Sequence, residues 1–273
     1  MDNPRQGTNI YEEQLRYYQE EINQILKQEK AMAELIAKDP EGGMYKKIML
    51  VDELIYMVTL YLAQYQIAVS FLNRKNETLL NEARKAVYKV IINLEEIVSN
   101  FIDAPFSDYE EKVRKIEHVP QKQRFYLIRK LGLVIDLVIR AYSGNTKWKW
   151  SFVEIQGRYA TVAKNILDLK DSAETGFDPH SPDYESTMFH LKLVKKLLLQ
   201  AADQYRARYE TATSSIEDFR IAIQYLEAAR PGIPHYKLLQ IKFSETTAIR
   251  NKKTKLLIVK WLYIFQCRAI SMI

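Results

Sequence analysis

Glycine and proline are scarce, with eight of each in 273 residues. Turn-rich all-β folds need more of both, and a glycine loop that cradles phosphate needs them clustered, so neither class fits. A single cysteine, Cys267, leaves no partner for an internal disulfide. That excludes a stapled secreted scaffold and a cysteine-based zinc site, and it suits a reducing compartment. The four histidines, His118, His180, His190 and His235, stand far from one another in the chain. No H-E-x-x-H or repeated E-x-x-H spacing accompanies them, so the sequence signs of catalytic zinc and of a di-iron carboxylate bundle are missing. Nucleotide-loop and nucleophile-elbow motifs are missing too. No metal, no cofactor and no catalytic residue is therefore expected, and the chain is read as a non-enzyme.

Apolar residues make up 47% of the chain and charged residues 27%, ordinary values for a folded protein. Their spacing is helical throughout. Leu15, Ile22, Ile25, Leu26, Met32, Leu35 and Ile36 make one stripe on a helix from Ile10 to Asp39, about 45 Å long at 1.5 Å per residue. Pro40 and Gly42-Gly43 end it, and a second helix from Met44 to Asn73 is expected to fold back on it. Asn76 or Thr78 caps a third, to Ile102. Ser107-Asp108-Tyr109-Glu110 has capping-box spacing for a short fourth, to Ile116. Pro120 opens a fifth to Tyr142, and residues 146–170 form a sixth.

The polar stretch 171–183, with two prolines and a glycine, is read as a loop or linker. Helices from Tyr184 to Thr211 and from Ser215 to Ala229 follow, then one or two more. No segment alternates with period two. The expected fold is all-α, an antiparallel multi-helix bundle of eight to ten helices, with an N-terminal bundle (1–170) and a C-terminal helical part (184–273).

Two apolar runs raise the question of a membrane. Leu54 to Asn73 is free of charge for 20 residues, and Leu256 to Ile273 carries only Lys260 and Arg268. Gln64 and Gln66 near the middle of the first run, and the two cations in the second, make a bilayer a costly environment. Both are read as core helices. The N-terminus is polar, with no apolar leader, and the expected location is the cytoplasm.

Charge is segregated along the chain. Residues 1–43 hold nine acids against five bases, residues 112–149 ten bases against two acids, and residues 230–273 nine bases against one acid. The basic segments are the expected binding surfaces, with Arg124, Lys147, Lys149, Lys252, Lys253 and Lys255 as candidate contacts. On the fifth helix Arg129, Asp136 and Arg140 fall within about 40° of one another at 100° per residue. This narrow polar stripe on an otherwise greasy helix either meets solvent or lines a pocket for a carboxylate or phosphate. The expected role is a non-catalytic scaffold or adaptor that binds protein partners, acidic ones among the candidates, through helix faces and basic grooves. The alternative is a nucleic acid or an anionic phosphate or lipid surface held by 112–149 and 230–273, where aromatic side chains lie among the cations. A second copy of the chain is a further candidate partner.

Overall fold

Helices form where the apolar spacing places them. The computed structural model describes residues 4–39, 42–74, 76–142, 148–169, 171–172, 175 and 178–230. Expectations for Lys147, for Lys252, Lys253 and Lys255, and for the apolar segment 256–273 lie outside the described residues. Among those described there are eight α-helices and no strand: α1 (Pro4–Lys38), α2 (Gly43–Ser70), α3 (Glu77–Ile97), α4 (Glu110–Arg114), α5 (Gln121–Ala141), α6 (Lys149–Asn165), α7 (Tyr184–Arg208) and α8 (Ile216–Ala228). The fold is an all-α helical bundle. Its contacts divide into two compact units, Met1–Val194 and Lys195–Ile273, with the division inside α7.

In the first unit α1 packs on α2, and Tyr11, Leu15, Tyr18, Ile22, Ile25, Glu29, Met32 and Ile36 are among its less exposed positions, Glu29 pairing with Lys89 of α3. These step alternately by four and three, the spacing with which one helix seats against another in a coiled coil. Leu35, expected in the stripe, is half exposed instead, because this repeat passes through Ile36. The reversal is tied by Asp39, whose carboxylate accepts the Gly42 N–H at 2.9 Å and the Lys46 ammonium at 2.6 Å. Gln64 Nε2, near the end of α2, donates to the Leu15 carbonyl near the start of α1 at 3.2 Å, so the two helices run antiparallel.

Helix α2 packs against α1, α3 and α5. By length and composition it is the one helix among the described residues able to cross a membrane, and half of its most apolar stretch is buried. Asn76 caps α3, its Oδ1 accepting the Leu79 N–H at 3.3 Å. A Lys47–Glu96 ion pair joins the start of α2 to the end of α3, which makes that pair antiparallel. Ahead of α4 the expected capping box does not form. Extended Pro105 opens a short 3₁₀ turn, Phe106–Asp108, that already contains Ser107. The Ser107 hydroxyl donates to Asp108 Oδ1 at 3.2 Å, and α4 starts without a side-chain cap.

Helix α6 lies parallel to α3 and antiparallel to α5. Tyr88 Oη donates to the Ser151 carbonyl at 3.3 Å, and two turns further along both helices Arg158 holds Glu95 through Nε at 2.8 Å. Against α5, the Tyr142 ring meets Phe152 at 5.3 Å, while Tyr159 Oη donates to the Ile128 carbonyl at 2.9 Å. Burial pushes the Tyr159 phenol well above its ordinary value. Gly132 makes room for that hydroxyl, since a Cβ there would collide with it. Gly132→Ala is expected to destabilise the fold by about 1–3 kcal/mol despite the better helix propensity of alanine. Urea denaturation of the variant measures this directly. Helix α6 ends at Asn165, well before residue 170, where the Asn165 amide donates to the carbonyls of Ser99 and Phe101 at 2.9 and 3.1 Å.

In the second unit the later turns of α7 run into a π-helical turn, Tyr209–Thr213, and Ser214 reverses the chain in the left-handed region at φ 49°. Helix α8 folds back antiparallel, with Tyr205 stacked on Tyr225 at 5.7 Å and Tyr209 against Phe219 at 5.3 Å. Asp218 is buried at this turn. Burial works to raise its pKa, but an ion pair with Arg208 and the Thr213 hydroxyl at 2.5 Å outweigh that and hold it below the usual range.

Candidate interaction face

The basic segment 112–149 is split by the fold into a buried part and an exposed part. Arg124 belongs to the first. Its side chain is buried, with Nε donating to the Val119 carbonyl at 2.9 Å, Nη2 to that of Ile116 at 2.8 Å and Nη1 to that of Ile166 at 3.3 Å. Burial lowers its pKa, and Asp168, Asp171 and Glu117 oppose the shift. With its fork spent on three backbone acceptors, Arg124 presents no surface to a partner. It clamps the turn before α5 onto the end of α6.

Next to it lies His190 of α7, fully buried. Its Nε2 lies 2.9 Å from the Ala163 carbonyl and so carries the proton, while Nδ1 accepts from Gln121 Nε2 at 2.8 Å. Three helices meet at this imidazole. Burial pushes its pKa down to about 4, the Ala163 hydrogen bond opposes this, and the Arg124 charge lowers it further. The sequence motifs for metal ligation pass over such a histidine, because its partners are a glutamine and a backbone oxygen.

Arg129, Asp136 and Arg140 are all exposed, and among the described residues none of the three makes an ion pair. The polar stripe therefore meets solvent and does not line an enclosed pocket. Arg129 lies over the Phe125 ring at 5.6 Å. Lys149 is exposed at the start of α6, over the Trp150 ring at 4.6 Å. Of the aromatics among these cations, Phe125 is core, Tyr126 is exposed, and Trp148 is half-buried with the Arg84 guanidinium over its ring at 4.3 Å.

The helical stripe missed part of this face. The greasy part of α5 is not all core: Leu133 is 61% exposed and Leu137 39% exposed. Together with Tyr126, Lys130 and Arg140 they form an outward row stepping by four and three, flanked by Lys122, Arg129 and Asp136. Phe189 of α7, also exposed, stacks on Phe125 at 6.5 Å, with Lys192 near its ring. The result is a solvent face of large apolar side chains framed by cations. Its spacing was readable in the sequence. Its exposure was not, because Leu131, Val134 and Ile135 on the same helix are equally apolar and buried.

Among the described residues no group of three or more His, Cys, Asp or Glu side chains converges on one point. Compared with known proteins, the chain matches the family model described as the TP0443 family over residues 8–261. No curated protein and no solved structure matches it. A match that begins in α1 and runs through both units makes this chain a member of the TP0443 family.

Proposed function

We propose that the protein is a non-catalytic helical scaffold or adaptor that binds a protein partner through the outward face of α5. One observation carries the reading: Leu133 and Leu137 stand in water on a helix most of whose other apolar residues are core, and cations surround them. Contiguous exposed apolar side chains with a charged rim are the usual mark of a protein contact surface. The net positive rim favours an acidic partner, because complementary charge speeds encounter and selects among partners. A single cysteine suits a reducing compartment, and the cytoplasm is the location that goes with this reading.

A photo-crosslinking residue at position 133 tests the proposal in the native cell, with one at Glu20, on the exposed side of α1, as control. A discrete protein adduct at 133 is expected, absent at 20, resistant to nuclease and lost on Arg129→Glu with Arg140→Glu. An adduct that nuclease destroys points to nucleic acid, an adduct to lipid points to an anionic membrane, and either outcome, or none, removes the adaptor reading.

A further inference from the structure

We infer that the solvent face shared by α2 and α5 is a seat for one amphipathic helix of another protein, with carboxylates along the edge that lies over α5. The inference rests on the reading of α5 as the interaction face and extends it to a second helix and a partner chemistry. Lys130 Nζ reaches both carboxylate oxygens of Asp52, at 2.7 and 3.0 Å, and so joins the exposed edges of the two helices. Their directions follow from their neighbours: α2 is antiparallel to α3, α3 parallel to α6, and α6 antiparallel to α5. Helices α2 and α5 therefore run the same way and show their outer faces side by side.

Each of those faces carries a row with the same step. On α2 it is Tyr45, Met49, Asp52 and Tyr56, the three apolar members being 45%, 50% and 45% exposed. On α5 it is Tyr126, Lys130, Leu133 and Leu137. Steps of four and three are those that side chains of a facing helix fit between. Six large apolar side chains thus flank one exposed ion pair along a two-helix furrow. An incoming helix with apolar residues at i, i+3 or i+4, and i+7 covers both rows at once.

Charge decides the polarity of that helix. The outer edge of α5 carries Lys122, Arg129 and Arg140 against Asp136, and neither arginine makes an ion pair. The α2 side carries Glu53, with Asp52 already held by Lys130. An acidic edge toward α5 is therefore favoured. A polynucleotide would leave Met49, Leu133 and Leu137 in water, which is why a protein helix is the occupant argued for.

Two synthetic 21-residue helical peptides serve as probes of the full-length chain by fluorescence anisotropy. Both carry leucine at the a and d positions, one with glutamate and the other with lysine at the flanking positions. The glutamate peptide is expected to bind at least tenfold more tightly at low salt. Met49→Asp with Leu133→Asp should abolish its binding, and Arg129→Glu with Arg140→Glu should reverse the preference, with circular dichroism unchanged in both variants. All four substitutions lie at exposed positions. Equal binding of the two peptides overturns the charge assignment, and binding of neither overturns the seat. If the adduct at position 133 persists while neither peptide binds, the adaptor reading stands and the helical occupant fails. Concentration-dependent self-association in the ultracentrifuge that Leu133→Asp abolishes assigns the face to a second copy of this chain, and also overturns the inference.

Discussion

Arg124→Met is expected to cost about 3–5 kcal/mol of folding stability, the range for breaking a buried, charge-assisted cluster by removing one partner. The methionine fills much of the same volume, so the loss reports the hydrogen bonds more than a cavity. Three carbonyls, those of Ile116, Val119 and Ile166, lose their donors together. Two of these lie in the turn before α5 and one at the end of α6, so the variant should also loosen those ends locally. Chemical denaturation gives the magnitude, and amide exchange at residues 116–124 and 164–168 gives the location. A loss below about 1 kcal/mol would mean that the guanidinium is dispensable. Arg124→Lys should recover little, because one ammonium cannot span acceptors that a planar fork reaches in three directions.

Acid is the second large perturbation, and it acts through His190. In the unfolded chain this histidine titrates near 6.5, whereas in the folded protein it is pushed down to about 4. Between those values the unfolded state binds a proton that the folded state does not. Stability is therefore full above about pH 7 and falls as the pH drops toward 4. The shift corresponds to a total loss of about 3 kcal/mol, at about 1.4 kcal/mol per pH unit. The local chemistry agrees: protonated Nδ1 would face the Gln121 amide donor, with the Arg124 guanidinium nearby. The other two described histidines, His118 and His180, are exposed. His190→Gln should flatten the profile between pH 7 and 4 relative to the natural chain, whatever it costs at pH 7. Urea titrations at pH 7, 6, 5 and 4 on both proteins measure this, and parallel profiles would show that the imidazole is not the group responsible.

Part of this was legible before any coordinates. The scarcity of glycine and proline, the recurrence of Ile22, Ile25, Val87, Val90, Ile91 and Leu94 at helical steps, Asn76 as a cap and Pro120 as a start are local features. A helix is decided within about four residues by hydrogen bonding and capping, so sequence alone located the helices and the all-α class. The basic character of 112–149 is likewise a matter of composition.

Which of these residues meet water is a different kind of fact. Arg124 and Arg129 lie five apart on one helix, yet one is locked among carbonyls and the other is exposed. Leu131 and Leu133, two apart, are core and surface. Nothing local distinguishes them, because the difference lies in where α2, α3, α6 and α7 pack around α5, and the residues that meet it, such as Tyr159 against Ile128, are far from it in the chain. His190 looked solitary in the sequence and proves to be the meeting point of three helices. Period and capping are short-range and were written in the sequence; burial is long-range, and only the packed bundle decided it.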